Sequence, residues 1–350
     1  MVDATVRARV AVGLYGDPTV AWSVLLRARL TSQVGEAVVF DRLARHARGF
    51  PQLGGAPAVL STPDPDATAA RFATRPYADG EPLVRVAIAR AEPELVLAAH
   101  HGAVDGLGLL GLLGIALDTD VASNATGLGA RAASRSFANA AVRRLGEALF
   151  APPTRIQPSV MMPANSELFD EWTGARRGAG TAALVTAATG AAIAWNQSHG
   201  ARAQRVVAAV GASRRPGDEL CVIEDSTYLR LRRTHRAERS ELAALLATQS
   251  PEPDSPAYRS PFTSLGIRLL APRLGSTFLV SNLGVVRAGG IVRSLSFYPV
   301  ASGRSGVAFG AATLADTTTI TIRVRRQDFD AAAATRLLEL VVSGLPDEAR

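Results

Sequence analysis

The sequence predicts an α+β protein with two lobes, each built from a mostly antiparallel sheet with covering helices. Three observations support this fold class. The chain of 350 residues is long for a single compact core. Strand-like and helical segments occur in both halves. A stretch with four prolines, APPTRIQPSVMMPANSE, separates the halves, so we expect lobes at 1–150 and 181–350 joined by a linker at 151–180.

Hydrophobic periodicity assigns elements to most of the first half. Apolar residues at helical spacing predict helices in SQVGEAVVFDRLARHARGF, LGLLGLLGIAL and SFANAAVRRLGEALF. Strands are predicted for RARVAVGLY and for LVRVAIARA and ELVLAAHH, which we expect to pair antiparallel across a Glu-Pro connection. The segments 61–82 and 118–135 are predicted as loops, because proline, aspartate or small residues dominate them.

The second half repeats this layout loosely. Helices are predicted for TAALVTAATGAAIAWNQSHG, SELAALLATQ and DFDAAAATRLLELVVSGL. Strands are predicted for QRVVAAVGAS, STYLRLRR, STFLVSNLGVV, GIVRSLSFYPV, SGVAFGAAT and TTTITIRVRR, with turn-forming residues between them. The proline-rich segment PEPDSPAYRSP is expected to be a loop.

Composition favours a cytoplasmic protein without disulfides. No apolar run is long and uncharged enough to cross a membrane, and the N-terminus lacks the apolar core of a secretory signal. Cys221 is the only cysteine, which excludes an internal disulfide and a cysteine-based zinc site, and its surroundings predict a buried, unreactive thiol. The abundance of alanine, arginine and glycine is typical of a GC-rich actinobacterial genome.

The basic residues narrow the class of partner. The net charge is +7 and every basic residue is an arginine, a side chain that suits contacts with phosphates and carboxylates. The arginines are scattered and aromatic residues make up only 5% of the chain, so we expect no nucleic acid partner. A phosphorylated cosubstrate or an acidic partner protein is favoured instead, although each arginine cluster taken alone is expected to be a solvated face.

The stretch AAHHGAVDGLGLL carries the residues with the clearest chemistry. His100 and His101 end a predicted strand, and Asp105 and Gly106 follow in the turn before a helix. Neighbouring strand residues point to opposite faces, so only one histidine should face a cavity. We therefore expect no metal, because the two histidines and Asp105 could not meet at one ion without a backbone distortion.

Three further interpretations of this stretch differ in their support. A G-x-G-x-x-G pattern begins at Gly106, but the next aspartates, Asp118 and Asp120, follow too soon for a nicotinamide-binding unit. Both histidines could be packed and structural. The third interpretation is general base catalysis, in which a histidine of near-neutral pKa takes a proton from a hydroxyl or amine.

The sequence HHGAVDG at 100–106 resembles the HHxxxDG signature of an acyltransferase superfamily. This group includes chloramphenicol acetyltransferase, the condensation domains of nonribosomal peptide synthetases and plant acyl-CoA transferases of the BAHD type. The segments RLARHARGFPQLGG, PLVRVAIARAEPELVLAAHH and TAALVTAATGAAIAWNQSHGARAQRVVAAVGASRRP resemble the corresponding context in these proteins. FLVSNLGVV resembles the SNLG segment of alcohol-acetyltransferase-like members, and the DFGWG of BAHD enzymes is absent. The resemblance covers nearly the whole chain. It implies a chloramphenicol-acetyltransferase-like fold with a tunnel between two lobes, and a stand-alone enzyme rather than a module of a synthetase.

The resemblance assigns a role to each residue of the motif. It implies that His101 is the general base at the centre of the tunnel and that His100 is a packing residue. Asp105 resembles the structural aspartate, which points away from the tunnel and pairs with an arginine. Gly106 would leave room for the arm of the acyl donor.

Other site residues are less closely specified. The arginine that pairs with the motif aspartate in synthetase condensation domains is replaced here by Gly54, so the partner of Asp105 is unassigned, with Arg29 and Arg214 as candidates. Arg214 and Arg215 are expected to form a basic patch that binds the donor. The polar residues expected to stabilise an oxyanion or to line the tunnel are Ser213, Ser281, Asn282, Ser302 and Ser305.

The resemblance implies transfer of an acyl group from a coenzyme A or carrier-protein thioester to a hydroxyl or amine of a small, natural-product-type acceptor. No tightly bound cofactor is expected, and the thioester, on coenzyme A or phosphopantetheine, is a cosubstrate. Two alternatives stay open. One is a different step on a thioester-bound or free pathway intermediate, such as cyclisation or dehydration. The other is a non-catalytic recruitment domain, which the intact motif disfavours because a binding domain does not need the base.

Overall fold

The computed structural model describes residues 3–12, 21–175, 180–215, 220, 222, 226–253, 273 and 275–346. The helices in this part of the chain are α1 (Ala4–Ala11), α2 (Glu36–Ala47), α3 (Pro65–Thr74), α4 (Gly106–Leu117), α5 (Phe137–Phe150), α6 (Thr181–Ser198), α7 (Arg239–Thr248) and α8 (Ala331–Ser343). The strands are β1 (Ser23–Leu30), β2 (Ala58–Thr62), β3 (Val84–Ala89), β4 (Glu94–His100), β5 (Val121–Ser123), β6 (Glu167–Ala175), β7 (Val207–Ser213), β8 (Ser226–Arg232), β9 (Phe278–Ala288), β10 (Val292–Tyr298), β11 (Val307–Leu314) and β12 (Thr317–Arg325).

The first sheet has the strand order β10-β1-β4-β3-β2. The predicted hairpin is confirmed, because β3 and β4 pair antiparallel with Val84 opposite Ala99. Both strands are buried along their whole length. Leu97 packs in the cluster formed with α2 and α4, whereas Val96 packs in the cluster formed with α3. Helices on both faces explain why these strands have nearly continuous apolar sequences.

The second sheet has the order β6-β12-β11-β9-β7-β8, with the short β5 added to β9. β9 runs parallel to β7 and β11, and the other pairs are antiparallel. Leu184 of α6 and Leu337 of α8 pack with Val280 and Ile322 in one core cluster on this sheet. The two sheets with their helices confirm the predicted two-lobed α+β fold class.

Three strands cross the limits that the sequence predicted for the two lobes. β10 comes from the second half and pairs antiparallel with β1 at one edge of the first sheet. β5 comes from the first half and pairs with β9, and β6 lies inside 151–180 and pairs along β12. The proline-rich part of that range, 151–166, has no helix or strand, so the irregular connection ends at β6 rather than at residue 180.

The strand predicted at 7–15 is wrong over its described part. Residues 7–11 belong to α1, and residues 13–15 lie outside the described residues. The Asp3 side chain accepts a hydrogen bond from the Thr5 backbone N–H at 2.6 Å and caps this helix. The capping aspartate therefore overrides the alternating pattern that follows it.

The loop predicted at 61–82 is wrong in its middle, where α3 forms. Pro65 occupies the first turn, and the Asp64 side chain accepts a hydrogen bond from the Ala67 N–H at 2.9 Å. Aspartate at the cap and proline directly after it are a standard helix start. The predicted loop at 118–135 likewise contains β5. β1 and β2 form where no strand was predicted.

Two sequence predictions fall on residues that the structure does not describe or describes only in part. Cys221 is not described, and neither is most of the predicted loop at 251–261. Among the helices that are described, none combines the length and apolar character needed to span a bilayer.

Candidate active site

The HHxxxDG motif occupies the end of β4 and the turn that leads into α4. The His100 N–H donates to the Leu83 carbonyl at 2.9 Å, which completes the pairing with the neighbouring strand. The His101 N–H donates to the Trp22 carbonyl at 2.7 Å on the other side. The N–H groups of Ala103 and Val104 both donate to the His100 carbonyl, at 2.8 and 3.1 Å, and close the turn. The backbone of both histidines is therefore fixed by neighbouring segments.

His100 is buried among packed groups. Its Nδ1 accepts a hydrogen bond from the Gly102 N–H at 3.0 Å. The Tyr77 ring meets the imidazole edge to face, with ring centres 5.4 Å apart. Burial lowers the pKa of His100 to about 4, and His101, Arg9 and Arg85 act in the same direction. The ring is thus neutral at physiological pH, with Nδ1 as an acceptor.

His101 is half-buried, and its environment keeps the imidazole unprotonated. Burial lowers the pKa of His101, and the opposing effects of Asp105 and the Val104 backbone do not reverse the shift. A neutral imidazole carries a lone pair that can accept a proton. His101 therefore has the protonation state that a general base needs near pH 7.

Asp105 connects the motif to the second sheet. Its Oδ1 accepts a hydrogen bond from the Gly108 N–H at 2.6 Å and caps α4. The same oxygen lies 3.2 Å from Nη2 of Arg215, just after β7. Burial raises the pKa of Asp105, while Arg215, the Gly108 amide, His101 and Ser213 oppose the increase. A carboxylate held in this way fixes the helix start and the lobe junction together.

The partner of Asp105 is Arg215, and both earlier candidates are wrong. Arg29 binds Glu171 at 3.2 Å, and Arg214 donates from Nη2 to the Thr227 hydroxyl at 3.3 Å. The predicted donor patch is wrong for Arg215, because Arg215 is buried, whereas Arg214 is half-buried and its donor role stays a prediction. A guanidinium that neutralises an internal aspartate is not available to attract a ligand from solvent.

The role predicted for Gly106 is wrong as well. A Cβ at this position would lie 2.8 Å from Cζ of Phe297 and 2.9 Å from Cδ2 of Leu283. These side chains come from β10 and β9, so the space beside Gly106 is filled by the protein itself. The glycine allows α4 to approach the two strands closely, rather than leaving room for a donor arm.

The five polar candidates for the tunnel differ in their surroundings. Ser213 lies at the end of β7, where its hydroxyl accepts from the Arg215 N–H at 3.3 Å. Ser281 lies beside Gly211 on the neighbouring strand. Asn282 Oδ1 accepts from the Gly284 N–H at 2.9 Å and stabilises a bulge of β9. Ser302 is half-buried directly before the turn at 303–306.

Ser305 is buried just before the start of β11. Its hydroxyl accepts a hydrogen bond from the Ile156 N–H at 2.9 Å, which ties the proline-rich connection to β11. Ser305 therefore holds the proline-rich connection in place, and its hydroxyl already accepts a backbone hydrogen bond.

Arg323 is a buried residue at the junction that the sequence did not single out. It is inaccessible to solvent, and its guanidinium donates to the Ser23 carbonyl at 2.6 Å and binds Glu167 at 2.5 Å. Ser23 stands opposite His100 in the first sheet. The cluster IRVRR was expected to be a solvated face, but the contacts of Arg323 with the Ser23, Ala73 and Pro299 carbonyls bury this residue between the two sheets.

A metal site is not found in the described part of the chain, where no group of three or more histidine, cysteine, aspartate or glutamate side chains could hold an ion. The adjacent histidines have different environments, one packed and one half-buried, as the strand geometry requires.

Comparison with known proteins gives structural matches only. No family model matches the sequence, and no curated protein is significantly similar to it. Solved structures do match over almost the full length. The first condensation domain of the calcium-dependent antibiotic synthetase, in complex with a substrate analogue, is 16% identical with a TM-score of 0.61, over 97% of this chain and 94% of that one.

Two further structures show the same agreement. A double mutant of the starter condensation domain of rhizomide synthetase, in complex with C8-CoA, is 14% identical with a TM-score of 0.57, over 94% of this chain and 92% of that one. The epimerization domain from the third module of tyrocidine synthetase B is 13% identical with a TM-score of 0.55, over 94% and 92%. The chain therefore has the fold of these synthetase domains.

Proposed function

We propose that the protein transfers an acyl group from a coenzyme A or carrier-protein thioester to a hydroxyl or amine of a small acceptor, with His101 as the general base. The observation that carries this proposal is the neutral, half-buried imidazole of His101 in a turn that the Asp105–Arg215 ion pair holds in place. The neighbouring structures support the donor class, since one of them contains C8-CoA.

The proposed reaction is a direct transfer. The acceptor hydroxyl or amine attacks the thioester carbonyl carbon while the imidazole of His101 takes the proton from the attacking atom. The tetrahedral intermediate then collapses, the carbon–sulfur bond breaks, and the sulfur leaves with the proton held by His101. The products are an ester or amide and a free thiol, so no oxidant or metal is required.

The developing oxyanion needs hydrogen-bond donors, which often contribute most to such reactions. The remaining polar candidates are Ser213, Ser281 and Asn282 on the second sheet and Ser302 in the connection between β10 and β11. Ser213 is the candidate whose position near Asp105 is supported by the structure.

The test is incubation of the full chain with a panel of acyl-CoA thioesters and carrier-bound thioesters plus nucleophilic acceptors. Thiol release and product mass are followed together. Transfer predicts one thiol released for each acyl group gained by an acceptor, and loss of both signals in His101→Ala. Rearrangement of the substrate without acyl transfer would indicate a different step on the same fold, and binding without turnover would indicate a recruitment domain.

The matched control is His100→Asn. Asparagine places an acceptor oxygen near the position of Nδ1, so the bond from the Gly102 N–H is kept. The control should retain transfer whenever it is folded. Loss of transfer to the same extent in both variants, with both folded, would contradict the assignment of the base to His101.

A further inference from the structure

An arginine-lined cavity lies away from the motif, between α5, β8 and the segment after α7. It is partly open to solvent and has a volume of about 310 Å³, a size that suits a small ligand. The charged residues that line it are Arg135, Arg143, Arg230, Arg232 and Glu252.

Glu147 neutralises part of this charge. Its carboxylate lies 3.1 Å from Nη2 of Arg230 and 2.6 Å from Nε of Arg232, with Nε of Arg143 at 3.6 Å. One carboxylate thus faces three guanidiniums. Arg230 is buried, and it also donates to the Gly275 carbonyl at 2.6 Å. Its position is therefore fixed before any ligand arrives.

Glu252 also contacts more than one guanidinium. It lies 3.2 Å from Nη2 of Arg144 and 3.8 Å from Nη2 of Arg232. Arg135 is exposed at the rim of the cavity. Five arginines and two glutamates at and around the cavity leave a net charge of about +3 among the described residues.

The arginines affect one another electrostatically. Burial lowers the pKa of Arg143, and Arg232 and Arg135 lower it further. Burial also lowers the pKa of Arg230, with Arg144 as the next cause. These guanidiniums are held close together against their mutual repulsion. An anion in the cavity would relieve that repulsion and accept bidentate hydrogen bonds.

The cavity and the motif lie on the same face of the second sheet. Ser213, near Asp105, stands opposite Ser226, and Arg230 stands opposite Ala209. Alternate residues share a face, and the intervening Leu229 and Leu231 pack into the core on the other side. Arg230 and Arg232 are four and six residues beyond Ser226, about 14 to 20 Å along the strand.

We infer that this cavity binds a phosphate-bearing small molecule. A phosphate group presents several acceptor oxygens and up to two negative charges, which match the excess of guanidinium donors. Two sources of this chemistry fit the position, free phosphate and the phosphate of a pantetheine thioester. An extended pantetheine arm spans roughly 16 Å from phosphorus to sulfur at ordinary bond lengths. A pantetheine thioester with its phosphate in the cavity would therefore extend towards the motif. The choice of the pantetheine thioester over free phosphate rests on the proposed function.

The test is calorimetric titration of the full chain with inorganic phosphate, pantetheine, phosphopantetheine and coenzyme A at low ionic strength. We expect the two phosphorylated pantetheine compounds to bind at least about tenfold more tightly than pantetheine, since charge-assisted hydrogen bonds are lost without the phosphate. Inorganic phosphate should compete with them. Equal affinity for pantetheine and phosphopantetheine would overturn the inference.

Two sets of variants locate the binding site. Arg135→Ser combined with Arg143→Ser removes two exposed charges and should weaken phosphopantetheine binding about tenfold or more. Arg45→Ser combined with Arg293→Ser changes the net charge equally, at exposed positions outside the cavity lining, and should leave affinity unchanged. Glu252→Gln should strengthen binding by removing a competing carboxylate. Equal effects of the two double variants would overturn the site.

Failure of this inference can be distinguished from failure of the proposed function. Binding is measured without turnover, and His101→Ala should bind phosphopantetheine with the affinity of the unmodified protein. Phosphate binding without acyl transfer by the unmodified protein would retain the cavity and reject the transfer reaction. Acyl transfer that is unaffected by Arg135→Ser and Arg143→Ser, in a protein that does not bind phosphate, would support the transfer reaction and reject the cavity as a phosphate site. Inorganic phosphate bound as tightly as phosphopantetheine would retain the site and reject the pantetheine arm.

Discussion

Arg215 and Asp105 form a buried ion pair that joins the end of β7 to the start of α4. The distance from Nη2 to Oδ1 is 3.2 Å, and the side chains are only 3% and 5% exposed. The same carboxylate oxygen caps α4 through the Gly108 N–H. One aspartate therefore fixes both the helix that follows the motif and the contact between the two sheets.

Removal of either member of this pair should destabilise the protein. Asp105→Ala and Arg215→Ala are each expected to reduce the free energy of unfolding by about 3–5 kcal/mol, because each leaves a buried charge without its partner. The double variant should lose less than the sum of the two. Urea denaturation measures all three values. If Asp105→Asn loses turnover with an unchanged free energy of unfolding, Asp105 acts on the chemistry and not on the loop.

Substitution of His101 should lower turnover, whereas substitution of His100 should lower stability. His101→Ala is expected to reduce turnover by about 10²- to 10⁴-fold, the usual contribution of a general base, with little change in melting temperature because His101 is only half-buried. His100→Ala should act mainly through stability, since it leaves a space beside Tyr77 and removes the acceptor for the Gly102 N–H. Thermal denaturation and turnover are compared for each variant.

The pH dependence of activity should reflect the lowered pKa of His101. The neutral ring is the active base, so kcat/KM should fall as pH decreases through that pKa. Burial places this fall below about 6.5, the ordinary value for imidazole. Asp105 raises the pKa of His101, so Asp105→Asn should move the midpoint to still lower pH. A midpoint that moves upward in this variant would contradict the electrostatic assignment.

His100 should make the protein less stable in acid. Its folded-state pKa of about 4 lies below the ordinary value of 6.5, so protonation favours the unfolded chain. This part of the stability is complete above pH 6.5 and is lost as pH falls towards 4, by about 3 kcal/mol in total. His100→Asn cannot be protonated and should lose less stability over that range. Urea denaturation of both proteins at pH 7 and pH 4.5 provides the comparison.

Gly106 should not tolerate a side chain. Gly106→Ala would place Cβ 2.8 Å from Phe297 and 2.9 Å from Leu283, an overpacking that typically costs about 1–3 kcal/mol. Phe297→Leu in the same protein should restore part of the loss by removing the ring. A Gly106→Ala protein as stable as the original would show that the strands can move away from α4.

Local sequence signals were enough for the elements with strong patterns. The β3–β4 hairpin, α4, α6 and the strands from β9 to β12 were all predicted, because their apolar patterns are long and bounded by turn residues. α1 and α3 were missed although each begins with a capping aspartate, Asp3 or Asp64, because short helices carry little periodicity. The pairing of β10 with β1 could not be predicted, since strand partners distant in sequence leave no local signal.

The motif residues were also found by sequence, but their partners were not. The two faces of His100 and His101 follow from strand alternation alone. The ion pair of Asp105 depends on where residue 215 lies in space, and a difference of one residue separates the buried Arg215 from Arg214, which is less buried. The arginine cavity is lined by residues from 134–143, β8 and 245–253, and the charges of each segment are unremarkable when it is considered alone.

Because β10 pairs with β1, the first sheet can be completed only late in protein synthesis. β1 emerges from the ribosome early, yet its neighbour on one side is made only after residue 292. Until then β1 presents an unpaired edge with free backbone hydrogen-bonding groups, which is a template for aggregation. The nascent chain is therefore exposed to aggregation through β1 for most of its translation. An isolated N-terminal half would keep this unpaired edge and would be a substrate for a chaperone that binds exposed strands.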